Sequence, residues 1–254
     1  MPADLKEILS ELERLLQPAR FQDYCVNGLQ VPGPASIQRI ATGVSANIDL
    51  FERAVAERAD LLLVHHGLFW GDGVRAIDET LARRLRILFE NGIALAAEHL
   101  PLDAHPEIGN NALLARALSG TDLQPFAPHR GEPIGFIARL PGDGLALEDL
   151  LERVADITAR EPQLYGAGPE RVARLAVVSG AGADYLGQAR QAGADALLTG
   201  EVSERSPADA REASLHLIAG GHHATETLGI RALGEHLAER FAVEHVFIDV
   251  SNSV

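Results

Sequence analysis

Six of the ten histidines fall in three short segments, at 65–66, 99–105 and 222–223, each directly behind a run with strand character. Scattered core or surface histidines would not segregate in this way. Neutral imidazole is the commonest protein ligand of transition metals, so the pattern points to metal chemistry. In Leu61-Leu62-Leu63-Val64-His65-His66-Gly67, four apolar residues between Asp60 and Gly67 read as a short buried strand. Ligands of open α/β sheets bind just beyond such carboxyl ends. The second segment is His99-Leu100-Pro101-Leu102-Asp103, and the third is Gly220-Gly221-His222-His223-Ala224-Thr225-Glu226. If the chain is helical from Ala224 onward, His222 and Glu226 lie one turn apart and can reach one ion. Imidazoles combined with Asp and Glu, without a thiolate, suit Zn, Mn, Fe or Co. Three or more histidines and two carboxylates can hold two ions roughly 3.5–4 Å apart and acidify a water, which is hydrolytic chemistry.

Other residues sort around this set. Glu201 follows a strand at the position matching His66 and is the best candidate for a site residue that is not a ligand. His105, beside Pro106, is expected at the surface, and His129, His216, His236 and His245 have no partner by spacing. Phe69-Trp70 is either a platform on which a substrate stacks or a subunit contact. The sequence has no phosphate loop, nucleophile elbow or dinucleotide glycine fingerprint. Gly180-Ala181-Gly182-Ala183 is a short glycine-rich match for an anion loop.

The elements that position these residues alternate strand and helix. Asp4 caps a helix ended by Pro18, and Asn27-Gly28 reads as a surface turn. A strand to Val44, a helix over Ile48–Arg58 and the Leu61–Val64 strand form a βαβ unit, followed by a helix over Glu79–Asn91, the Ile93–Ala97 strand and a helix over Asn110–Leu118. Thr121–Pro133, with Pro125, Pro128 and Pro133, reads as a linker. Beyond it come a strand over Ile134–Leu140, a helix over Leu147–Ile157, strands over Leu175–Val178 and Ala196–Thr199 with a helix over Asp184–Gln191 between them, a helix near Ser206–Glu212, the Leu215–Ala219 strand, a helix over Thr225–Arg240 and a last strand over Val243–Val250.

Arg39–Gly67 aligns without a gap on Arg174–Val202, sharing Arg39/Arg174, Ala41/Ala176, Asp49/Asp184, Ala54/Ala189, Ala59/Ala194, Asp60/Asp195, Leu62/Leu197 and Leu63/Leu198. His99-x-x-x-Asp103 is echoed by His222-x-x-x-Glu226. The expected fold is therefore α/β, with two similar α/β subdomains forming an internal pseudo-repeat and a dinuclear metal site between them. The division is placed at 1–126 and 127–254, with the final segment packing back onto the first half. The halves are not equivalent, because Gly200 stands where the first half has His65.

Composition sets outer limits. The chain has 254 residues, 46% hydrophobic and 23% charged, which is ordinary for a globular protein. A net charge of −14 argues against general nucleic-acid affinity, which needs clustered Lys and Arg. A small anionic substrate stays open, since a bound cation dominates its local field. A single cysteine, Cys25, suits a reducing compartment. With no signal pattern after Met1 and no apolar run near the ~18 residues of a membrane span, the expected location is the cytoplasm.

Five stretches together resemble the Nif-three-like family, known in bacteria as a type-two form of GTP cyclohydrolase I, and in particular its short bacterial branch. They are Asn27-Gly28-Leu29-Gln30-Val31, His65 to Trp70, His99 to Asp103, Leu198-Thr199-Gly200-Glu201-Val202-Ser203-Glu204, and Gly221 to Glu226. The resemblance implies two divalent cations per chain held by His65, His66, Asp103, His222 and Glu226, and a homohexameric ring. The expected activity is metal-dependent hydrolysis of a small-molecule substrate such as a nucleotide, with His99 or Glu201 moving protons. The rival class is a non-catalytic, metal-dependent assembly or regulatory binding protein.

Overall fold

A computed structural model describes residues 2–71 and 76–254. The chain forms two compact units, Met1–Leu102 with Ile230–Ser251, and Asp103–Gly229 with Asn252–Val254. The sequence places the division near residue 126; the chain instead leaves the first unit after Leu102 and returns to it at Ile230.

The first unit is built on a five-stranded sheet in the order Glu244–Phe247, Arg39–Ser45, Leu61–His66, Ala94–Ala97, Gly28–Val31. The first four strands run parallel and the last, an edge strand with a bulge, runs antiparallel. Leu61, Leu62, Leu63 and Val64 have no exposed surface, so the continuous apolar run belongs to a strand covered on both faces. Each such side chain contributes about 1.5–3 kcal/mol of burial. Leu62 and Val64 pack with Phe51, Leu88 and Leu95. The strand is longer than its apolar run, because Ser45 still pairs with His66. Both histidines are therefore strand residues, held by the ladder rather than by a loop.

The second unit has a six-stranded sheet ordered Gln163–Gly166, His216–Ala219, Ala196–Thr199, Arg174–Val177, Glu132–Arg139, Thr121–His129. The three strands from 174, 196 and 216 are parallel to one another, and every other pairing in the sheet is antiparallel. Thr121–Pro133 is not a linker: Thr121–His129 is the edge strand of a hairpin with Glu132–Arg139. Proline is tolerated there because an edge strand need not donate on its outer side.

The internal repeat is real, and its shared residues hold the frame. Asp60 Oδ2 accepts from the amides of Gln38 and Arg39, at 2.7 and 3.0 Å. Asp195 Oδ2 accepts in the same way from Ala173 and Arg174, at 2.9 and 2.8 Å. Arg39 donates to the Glu57 carbonyl at 2.8 Å and Arg174 to the matching Ala192 carbonyl at 3.1 Å. These identities fasten strand starts and helix ends, so the repeated residues are structural. The second echo is displaced, since His99 stands two residues beyond its strand, which ends at Ala97, whereas His222 stands three beyond Ala219.

Candidate metal centre

In the first unit the ladder sets His65 and His66 side by side at a strand end, with ring centroids 4.7 Å apart. His99 joins them from the turn after Ala94–Ala97, and the three rings offer ligand atoms that all lie within 4.8 Å of one another. Each ring is tied through Nδ1. His65 Nδ1 donates to the Glu98 carbonyl at 2.9 Å, and His66 Nδ1 lies 3.0 Å from Ser45 Oγ. His99 Nδ1 lies 2.8 Å from Asp23 Oδ1. A carbonyl or carboxylate only accepts, which fixes Nδ1–H on His65 and His99 and leaves the ring lone pair on Nε2, the usual arrangement of ligating histidines.

Asp23 is the residue that sequence reasoning missed. Its side chain is 3% exposed, and it also accepts from the amides of Cys25 and Leu100 and from Asn27 Nδ2, each at 3.0 Å. Burial would raise its pKa, but the His99 hydrogen bond and the charge its ring carries when protonated, with the Asn27 and Cys25 donors, outweigh it and hold the carboxyl down at about 2. Asn27 Oδ1 accepts from the His99 amide at 2.7 Å, so Asn27-Gly28 is a clamp on His99 rather than a surface turn. The signal was the polar spacing Asp23-x-x-x-Asn27, which carries no meaning until the Gly28–Val31 edge strand lies against Ala94–Ala97. The neighbouring Glu98 is 1% exposed, and its carboxyl is pushed up to about 8 by burial first, then by Glu13 and Asp23. Trp70 and Tyr24 complete the wall around His99, with centroids 5.3 and 5.2 Å from its ring. Both are substantially exposed.

In the second unit Asp103 is buried, and its Oδ1 accepts from Asn110 Nδ2 at 2.9 Å and Ser179 Oγ at 3.2 Å. The expected Thr225–Arg240 helix is interrupted: a four-residue helix, His222–Thr225, is followed by Glu226 outside helical geometry and then by Thr227–Phe241. His222 and Glu226 meet despite the break, with Nε2 and Oε2 3.3 Å apart. Glu201 Oε2 lies 3.3 Å from the opposite nitrogen, Nδ1. Burial would lower the His222 pKa, but the Glu226 hydrogen bond and charge, joined by Glu201, raise it to about 9. The glycines here are spatial requirements. A Cβ at Gly180, where φ is +59°, would press into Glu226 Oε1, and one at Gly200 would lie 2.5 Å from His222 Cα. Gly200 cannot become a histidine for that reason, and the two halves stay unequal.

Four of the remaining histidines have structural partners. His105 Nδ1 accepts from the amides of Glu107 and Ile108. His216 Nε2 lies 2.9 Å from the Pro169 carbonyl, His236 pairs with Glu11 at 3.0 Å, and His245 with Thr42 at 2.8 Å. In the glycine loop at 180–183 two of the amides are engaged, since Gly180 N donates to Thr225 Oγ1 and Gly182 N to Thr199 Oγ1.

Residues 3–253 match the model of the family described as Duf34/NIF3 (NGG1p interacting factor 3). The chain belongs to this family. A Pseudomonas aeruginosa member named "GTP cyclohydrolase 1 type 2 homolog" is 44% identical over 252 residues, covering 99% of each chain. Among solved NIF3-like structures, protein ybgI, described as of unknown function, superposes with a TM-score of 0.92 at 41% identity over 99% of this chain and 100% of its own. TTHA1606 from Thermus thermophilus gives 0.92 at 36% identity, again over 99% and 100%. No helix among the described residues is long and apolar enough to cross a membrane.

The donor sets in this NIF3-family chain fit a borderline divalent cation. Imidazoles anchored through Nδ1 and carboxylates held at buried positions are what Zn, Mn, Fe or Co require, and no thiolate competes.

Proposed function

We propose that this chain is a metal-dependent hydrolase of a small, nucleotide-like substrate, with His65, His66, Asp103, His222 and Glu226 holding two divalent cations. The observation that carries this reading is the anchoring of each of these histidines through Nδ1 by a second polar group, the Glu98 carbonyl, Ser45 Oγ or Glu201 Oε2. Ions bound there supply an acidified water and polarise the substrate. The chain's own residues do the rest. Asp23 holds His99 with its lone pair on Nε2, positioned to take a proton from the attacking water and return it to the leaving group. Glu201 orients His222 through Nδ1 and is the second candidate for moving a proton. Tyr24 and Trp70 offer exposed ring faces on which a planar base can stack.

The name carried by the relatives supports GTP as the first substrate to test, with water adding at C8 of the purine and opening the ring to a formamide. Purified protein of known metal content, incubated with GTP and each of Zn, Mn, Fe and Co, is expected to yield that product by mass spectrometry. No turnover with any of the four rejects GTP. We further propose that the chain works in the cytoplasm as a homohexameric ring, which a monomeric mass in solution refutes. A metal-dependent rise in melting temperature with no activity across a broad hydrolase panel favours the non-catalytic assembly role instead.

A further inference from the structure

An arginine that the proposed chemistry leaves unused sits beside the His222 loop. The Leu147–Thr158 helix ends at Ala159 with φ +52°, which turns Arg160 off the helix axis. The Thr158 hydroxyl fixes the turn by bridging the Val154 and Arg160 carbonyls, at 2.7 and 3.2 Å. From there the Arg160 side chain lies over Gly221, the residue before His222. A Cβ at 221 would stand 2.5 Å from Nη1, 2.7 Å from Cδ and 3.0 Å from Cζ. The missing side chain at 221 is thus the space the arginine occupies, and Gly221 is further required by its φ of +97°.

Arg160 is half-buried, and its guanidinium has no hydrogen-bond or ion-pair partner among the described residues. In a chain with 36 acidic residues and a net charge of −14, this is not for want of carboxylates. Guanidinium stays charged at any relevant pH, and its planar fork of donors matches a phosphoryl group bidentately. The competing anion site in this unit, the 180–183 loop, has spent its amides at Gly180 and Gly182 on threonine hydroxyls. We propose that Arg160 is a specificity-determining residue that pairs with a phosphoryl group of the substrate. This inference rests on the reading of His222 and Glu226 as metal ligands, and it narrows the substrate class to phosphorylated molecules.

The test is calorimetric binding of GTP, guanosine and inorganic pyrophosphate to the metal-loaded full chain, in wild type, Arg160→Gln and Arg160→Lys. Metal content and melting temperature of each variant are measured first. Arg160→Gln is expected to weaken pyrophosphate and GTP by about ten- to hundredfold, the scale of one charge-assisted pair, and to leave guanosine unchanged. Arg160→Lys keeps the charge without the fork and is expected to recover part of the loss. Wild type that binds pyrophosphate through Arg160 but does not bind GTP retires the guanine nucleotide and keeps the phosphoryl assignment. Equal pyrophosphate affinity in wild type and Arg160→Gln, or no pyrophosphate binding by wild type, overturns it. If Arg160→Gln fails to fold, a pyrophosphate affinity unchanged in Arg160→Lys overturns it as well.

Discussion

Replacing Asp23 by Asn tests the clamp on His99. All four groups around the carboxylate are donors: the Cys25 and Leu100 amides, Asn27 Nδ2 and His99 Nδ1. An amide at this position must turn its NH2 toward two of them, so the substitution loses hydrogen bonds as well as charge. A carboxyl held at about 2 in the folded chain against its ordinary 3.8 contributes about 2 kcal/mol at neutral pH, at 1.36 kcal/mol per pH unit. The misplaced amide adds about 1 kcal/mol or more. The sign follows from the depressed value: the charge-linked part is fully present above pH 3.8 and is lost as pH falls through 2. Urea unfolding of wild type and Asp23→Asn is therefore expected to differ by about 3 kcal/mol at pH 7. The gap should shrink by about 1 kcal/mol at pH 3. A difference under about 1 kcal/mol at pH 7, or one that does not shrink in acid, would refute the reasoning. On the proposed hydrolytic function, the same variant should lose turnover while keeping the metal content of wild type, because His99 loses its fixed tautomer.

In metal-free protein the raised His222 pKa predicts the opposite pH dependence. Stability from its pairing with Glu226 and Glu201 is complete below 6.5 and is lost as pH rises through about 9, by about 3 kcal/mol in total. Chemical denaturation across pH 6 to 9.5 reads this, and a flat profile contradicts it. Gly180→Ala should cut metal occupancy at the second unit's ligands, because the new methyl needs the space of Glu226 Oε1 and a strained φ of +59°; elemental analysis showing full occupancy would count against that. Glu226→Ala is expected to remove both ions and His65→Ala mainly one, while His105→Ala leaves metal content unchanged. Two ions retained in Glu226→Ala would exclude Glu226 as a ligand.

The local patterns were legible in the sequence because they depend on contacts within a few residues. The Leu61–Val64 run, bounded by Asp60 and Gly67, reads as a short buried strand, and the Asp60/Asp195 and Arg39/Arg174 matches recorded a repeated unit whose shared residues tie its own strand starts and helix ends. The histidine clusters pointed to residues that could hold a metal through residue type alone. Tertiary structure decided what depends on partners distant in sequence. Thr121–His129 looked like a linker because its prolines exclude a central strand, and only the sheet shows that its place is an edge. Glu226 keeps its contact with His222 across a helix break that periodicity could not register. Asp23 meets His99 seventy-six residues away, and Arg160 comes to rest on Gly221. No spacing rule encodes such pairs, since they are set by strand order and by where a helix ends against a turn.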